Sequence, residues 1–153
     1  MQLVDNAPPT VMLAEMSHLL AAKRLADQYK HELGFINRAI LQKAIEARLL
    51  LIAPLRSEQS DDLAGLVHFY VRRDHIITLY SIAVAPAYQG QGWGRQLFNA
   101  LINEARARKK SEIRLKCPSE LSANTFYEHL GLQRVACETG KHRSLNVWVY
   151  ALT

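Results

Sequence analysis

The sequence predicts one α/β domain built on a mixed, mostly antiparallel, twisted sheet of six to seven strands flanked by about four helices. Three observations predict it. Two stretches with helical spacing of apolar residues come first, two stretches alternating at period two follow, and strand-like and helix-like stretches then alternate before two closing strands. A chain of 153 residues is the length of one domain, and at that size roughly 70% of the unfolded surface can be buried around a single core. Hydrophobic residues at 49% and charged residues at 22%, with 7 Gly and 5 Pro, exclude disordered, collagen-like and disulfide-scaffold chains. No repeat or linker-like stretch divides the chain, so residues 1–153 are read as one domain.

Residues 17–29 carry Leu19, Leu20, Ala22, Leu25 and Ala26 at helical spacing behind a serine able to cap the first turn. Gly34 fits the stop of that helix, and Ile36, Ala39, Ile40, Ala44, Ile45 and Ala47 restart the period in a second helix to about Arg48. Residues 49–55 form a short buried strand ended by Pro54, and 56–62 a polar hairpin loop. Leu63–Val71 (Leu63, Gly65, Val67, Phe69, Val71 on one face) and Ile76–Val84 (Ile76, Thr78, Tyr80, Ile82, Val84) then pair as an antiparallel hairpin across Arg72, Arg73 and Asp74. A glycine-rich turn over 88–94 leads to a helix with Leu97, Phe98, Leu101, Ile102 and Ala105 on one face. A strand over 113–117, a short helix over 122–130 stopped by Gly131, and strands over 132–137 and 145–150 complete the chain. Val147, Trp148, Val149 and Tyr150 make the last strand apolar on both faces, which fits burial inside one sheet or pairing across a homodimer.

Nineteen Lys and Arg against 14 Asp and Glu give a net charge of +5, which favours an anionic partner such as nucleic acid or a phosphorylated cofactor. Two cysteines, Cys117 and Cys137, are too few for a secreted disulfide framework. The first ten residues, with Pro8 and Pro9, lack the basic start and apolar run of a signal peptide. The longest apolar run, 49–53, is far short of the ~20 residues that span a bilayer. The expectation is a cytoplasmic chain without a membrane partner.

Gln89-Gly90-Gln91-Gly92-Trp93-Gly94-Arg95 sits between a strand and a helix. Glycines at alternate positions strip side chains from one edge of the turn, so successive backbone N–H groups can approach an anion. The following helix adds its unpaired N–H groups and the positive end of its dipole. Together they make a pyrophosphate site. Arg95 is badly placed for that dipole and is easier to justify beside an anion. The dinucleotide fingerprint G-x-G-x-x-G fails at Arg95, and no Gly-Lys-Ser/Thr ending supports a P-loop. A tight turn without a ligand is the plainer reading, and the strand before and amphipathic helix after weigh against it.

Ser81-Ile82-Ala83-Val84-Ala85-Pro86 followed by this loop resembles the acetyl-CoA signature of the GNAT superfamily of N-acetyltransferases, Q/R-x-x-G-x-G/A after a strand ending in Val, matched at Gln89, Gly92 and Gly94. A second block, Ser122-Ala123-Asn124-Thr125-Phe126-Tyr127-Glu128-His129-Leu130-Gly131-Leu132, resembles the later motif of the same family. The family's element order covers essentially the whole chain, so the resemblance implies a single GNAT-like domain with acetyl-CoA as cosubstrate. It implies that the backbone of Ile82, Ala83 and Val84 pairs with the pantetheine arm as an added strand would. It further implies that the amides of Gly90, Gln91, Gly92, Trp93, Gly94 and Arg95 hold the pyrophosphate, that Asn124 hydrogen-bonds the cofactor, and that Tyr127 sets its phenol near the thioester sulfur as general acid. A departing thiolate needs a proton or a hydrogen bond, which a Tyr O–H supplies in any fold. Outside the motif the same tyrosine reads as a core aromatic.

Amide formation also needs a neutral amine, so a base or water chain must take a proton. Many members of the family use a carboxylate on the hairpin strand that ends in the Val. Tyr80 and Ser81 stand there in this sequence, with no acid between His75 and Val84. His68 on the neighbouring strand titrates in a useful range, although a lone strand His is more often a surface or satisfied residue. His31 and Glu32, just before Gly34-Phe35, lie where the family's acceptor pocket forms, although a solvated helix end is the plainer reading of both. Glu32, Phe35, His68 and Tyr80 are thus the acceptor-side candidates. The expected reaction is direct acetyl transfer to a primary amine of a small molecule, amino acid or peptide. No acyl-enzyme is expected, because no motif pairs Cys117 with a base. The alternatives are a non-catalytic CoA-binding sensor, or an RNA- or DNA-binding module built on Arg106, Arg108, Lys109, Lys110, Lys141, His142 and Arg143. The first of these basic runs also fits a solvated helix end near the cofactor's phosphates. No helix-turn-helix, RNP or zinc spacing supports nucleic-acid readout or a metal.

Overall fold

Period-two and helical patterns assemble into one sheet with a core on each face. The computed structural model describes residues 10–33, 36–55 and 62–152. The expected stop at Gly34, the candidate Phe35, the side chain of His31 and nearly all of the 56–62 loop lie outside the described residues. The strands are β1 (Met12–Leu13), β2 (Leu50–Pro54), β3 (Leu63–Val71), β4 (Ile76–Val84), β5 (Glu112–Pro118), β6 (Gln133–Thr139) and β7 (Ser144–Ala151), in sheet order β1-β2-β3-β4-β5-β7-β6. Neighbours are antiparallel except β4 and β5. The helices are α1 (Leu19–Gln28), α2 (Lys30–Leu33), α3 (Arg38–Glu46), α4 (Trp93–Ala107) and α5 (Ala123–His129). The expected sheet and four helices are present; the two-residue β1 and four-residue α2 are additions too short for any periodicity to announce.

Local chemistry sets the ends. The Asn37 side chain caps α3 by accepting from the Ile40 amide at 2.8 Å, and Gly131 at φ +98° stops α5 in the left-handed conformation open to glycine. Leu25, Leu41, Leu50, Ile52 and Leu66 bury α1 and α3 against one face of the sheet. Val67, Phe69, Ile77, Leu97, Phe98, Leu101 and Trp148 bury α4 against the other.

The expected single apolar face of β4 does not survive. His68 pairs with Ser81 and Phe69 with Leu79, so Tyr80 is an extra residue, a β-bulge. One added residue reverses the alternation: Ile77 and Leu79 face the α4 core before the bulge, and Ile82 and Val84 face it afterwards. The parity of β3 is likewise broken, with Leu63 through Phe69 buried on both faces and Val71 exposed.

Two further expectations are corrected. Strand β7 lies between β5 and β6, so both of its edges are used and its apolar faces are explained by burial within the sheet rather than pairing across a dimer; the edge strand is β6. The basic run closing α4 is not near the glycine loop, because a 15-residue helix sets its ends about 21 Å apart. It fastens the fold instead. Arg108 pairs with Glu104 at 3.1 Å and donates to the Arg48 carbonyl at 2.7 Å, and Lys110 donates to the carbonyls of Arg72 and Asp74 at 2.7 and 2.6 Å. Arg143 is paired with Glu120 at 3.0 Å. No helix among the described residues is long and apolar enough to cross a membrane.

Candidate active site

The site begins where the sheet comes apart. β4 and β5 pair only at Ile76–Glu112, Ile77–Ile113 and Thr78–Arg114. Beyond that, β4 continues along β3 and β5 along β7, leaving the β5-facing edge of β4 over 79–84 without a strand beside it. A cleft of about 830 Å³ fills the opening. Tyr80, Ser81, Ile82, Ala83 and Val84 form one wall, and Lys116, Cys117 and Pro118 the other.

The glycine loop closes one end. Gly90 and Gly92 adopt φ +75° and +88°, Gly92 acting as N-cap of α4, and a side chain on either would meet nothing within 4 Å. Gly90, Gly92, Trp93, Gly94 and Arg95 all line the cleft, where the first turn of α4 leaves N–H groups without intrahelical partners. Gly94 has a packing role beside the one its place in the motif suggests. A Cβ there would sit 2.7 Å from the Phe126 ring, so this glycine lets α4 and α5 approach. The Gln91 side chain turns back to the Ala87 carbonyl at 3.4 Å. Trp93 stands edge-on to Tyr88, with 6.1 Å between ring centroids, and both line the cleft. The side chain of Arg95 needs no anion to explain it: it donates to the His129 carbonyl at 2.5 Å, a cation at the carbonyl end of α5.

Tyr127 lines the cleft from α5, its ring 5.8 Å from Phe126 and 6.4 Å from Trp148. Burial, helped by neighbouring Cys117, raises its phenol well above the usual tyrosine range, so it is a proton-bearing donor at neutral pH. Cys117 is also buried, and burial raises its thiol, which disfavours the thiolate a nucleophile requires. Asn124 is not a cleft-lining residue. Its amide donates to the carbonyls of Pro118 (2.9 Å) and Leu121 (2.8 Å), and its oxygen accepts from Asn146 Nδ2 (3.1 Å) and Trp148 Nε1 (2.8 Å). The side chain expected to touch a cofactor thus locks α5 to β5 and β7.

Residues 16–132 match the acetyltransferase (GNAT) family. The chain belongs to that family. The sequence of this GNAT family member is 37% identical over 59 residues to a [ribosomal protein bS18]-alanine N-acetyltransferase of Haemophilus ducreyi, a stretch covering 38% of this chain and 41% of that protein. Its fold is similar to the crystal structure of the ribosomal-protein-S18-alanine N-acetyltransferase of Escherichia coli, with TM-score 0.74, 21% identity and 95% of each chain covered. It is also similar to yncA of Salmonella typhimurium, a structure with its cofactor acetyl-CoA, with TM-score 0.75, 22% identity, and 96% and 95% of the two chains covered.

Of the acceptor-side candidates in this GNAT family member, Glu32 and Tyr80 line the cleft and His68 does not. His68 is 1% exposed beneath Tyr70 and Tyr80, with ring centroids at 4.8 and 5.2 Å, which excludes it from direct acceptor contact. Its Nδ1 and the hydroxyl of Ser81, its cross-strand partner, are buried without hydrogen-bond partners. Burial lowers the imidazole to about 4, too weak a base to draw a proton from an ammonium. The shift has a stability consequence. The unfolded chain takes up a proton here below its ordinary pKa of about 6.5 and the folded chain only below about 4, so folding weakens as pH falls between them. Denaturant unfolding is expected to show roughly 2 kcal/mol lost from this group between pH 7.5 and 5. His68→Leu should flatten the pH dependence by that amount; an unchanged slope would refute a buried neutral imidazole.

Sequence reasoning missed Tyr29. Its hydroxyl donates to the Val84 carbonyl and accepts from Gln89 Nε2. No local signal could have found it, since the partners lie 55 and 60 residues away.

Proposed function

We propose that the chain transfers acetyl from acetyl-CoA directly to a primary amine, and that the acceptor is the α-amine of a polypeptide. One observation carries the reading: a single cleft joins the unpaired edge of β4, the glycine loop before α4 and Tyr127. These residues suit acetyl-CoA. A strand edge offers alternating N–H and C=O groups to an amide-bearing pantetheine arm. Left-handed glycines beneath a helix N-terminus offer N–H groups to a pyrophosphate. The thioester supplies an acetyl group already activated toward amines. In this reading Ile82, Ala83 and Val84 hold the arm by their backbone, and the amides of Gly90 to Arg95 hold the pyrophosphate. Tyr127 donates its hydrogen bond where negative charge gathers on the departing sulfur. Glu32, the one carboxylate among the described cleft residues, takes the amine's proton directly or through water. Cys117, kept as a thiol, forms no acyl-enzyme.

A polypeptide acceptor is supported by the substrate named for the Haemophilus and Escherichia relatives. It is also supported by the room beside the cleft. Lys116, half-exposed on the cleft wall, reaches over β7 to pair at 2.8 Å with Glu138 of β6, a strand exposed along its whole length. The test offers acetyl-CoA with a peptide bearing a free N-terminal alanine, the same peptide with its N-terminus blocked, and spermidine. Mass spectrometry is expected to find one acetyl group on the free N-terminus alone. Acetylation confined to spermidine or to lysine side chains would overturn the polypeptide assignment.

A further inference from the structure

Helix α2 has four residues, too few to hold itself in place. Two of them, Glu32 and Leu33, nevertheless wall the cleft. What places them is Tyr29. Its backbone carbonyl accepts from the amides of Glu32 at 3.0 Å and Leu33 at 2.7 Å, so α2 hangs from this residue. Its side chain crosses to the other half of the site, donating to the carbonyl of Val84, the last residue of β4, and accepting from Gln89, which opens the glycine loop. Gln89 Nε2 also lies 3.5 Å from that same carbonyl. Burial, with a further push from Glu32, raises the Tyr29 phenol above its ordinary value despite the opposing hydrogen bond from Gln89, so it keeps its proton at neutral pH.

We propose that Tyr29 is a positioning residue that couples the two substrates: order imposed on β4 and the glycine loop by acetyl-CoA is passed through the Val84–Tyr29–Gln89 contacts to α2, which sets Glu32 and Leu33 for the acceptor. The proposal rests on the acetyl-transfer reading above. Coupling of this kind is reciprocal, so whatever tightens one ligand tightens the other. It also names the carrier, two hydrogen bonds on one phenol, which can be removed without removing the ring.

The test follows amide hydrogen exchange of residues 30–33 in the full chain, with and without saturating acetyl-CoA, beside a thermal melt of the same samples. In the wild type, acetyl-CoA is expected to raise the melting temperature and to slow exchange at 30–33 about tenfold, about 1.4 kcal/mol of local stability. In Tyr29→Phe the melting temperature is expected still to rise, while the slowing at 30–33 falls below about twofold. Gln89→Leu, which removes the second contact from the other side, should lose the same protection, and the double variant should be no worse than the worse single one. Equal protection in wild type and Tyr29→Phe, or additive losses in the double variant, would overturn the coupling while leaving acetyl-CoA binding intact. No melting shift and no change in exchange in the wild type would sink the cofactor reading, and the coupling with it.

Discussion

Tyr127→Phe is expected to lower kcat by about 100-fold, the scale on which one well-placed proton donor contributes. The substitution keeps the ring that packs beside Phe126 and Trp148, so its effect falls on the hydroxyl. Stabilisation given only at the transition state predicts that kcat and kcat/KM drop together. Because burial holds the phenol far above the working range, its ionisation should not shape the wild-type rate between pH 6 and 9, and the variant should give a parallel, lower profile. A stopped assay of peptide acetylation across that range reads both quantities. A variant within threefold of wild type would remove Tyr127 from the chemistry and return it to the aromatic core.

Asn124→Ala should give the largest loss of stability. The substitution deletes both sides of a junction: two donors serving the Pro118 and Leu121 carbonyls, and the acceptor for Asn146 and Trp148. Leaving such partners unpaired in partly buried surroundings is expected to cost roughly 3 kcal/mol. For a domain of this size that is about 6 to 12 °C in Tm. Asn146 gains nothing to offset it, since its own oxygen already lacks a partner. The rate should fall as well, because Tyr127 stands one turn further along α5 and its approach to the cleft depends on where that helix starts. Thermal and denaturant melts measure the first effect and the peptide assay the second. A loss under 1 kcal/mol would mean that water replaces the junction at no cost.

Much of this architecture is legible in the sequence because its signals are local. The β3–β4 hairpin, the glycine loop with its amphipathic helix and the stop at Gly131 each announce themselves within one short stretch of chain. The misreadings share a different origin. The bulge at Tyr80 is silent because Ile77 and Leu79 are as apolar as Ile76 and Ile82, so both parities of β4 look equally buried. Gly94 and Gly92 look alike in the motif, yet one serves a left-handed turn and the other a ring packed 2.7 Å from where its side chain would be. Asn124, Arg95 and Tyr29 all carry polar groups whose partners are fixed by packing across the fold. A residue type states what a side chain can bond to, while only the assembled elements decide whether protein or ligand arrives first.

The parted strands also bear on self-association. An unpaired strand edge ordinarily invites a second protein to add its own strand, the opening step of aggregation, and natural sheets blunt such edges with charge, bulges or cover. Here the bare edge of β4 is recessed within a V, with β5 opposite and the α4 loop and α5 closing the sides. The same geometry that leaves the edge hungry for hydrogen bonds therefore also covers it against a strand from a second copy of the chain.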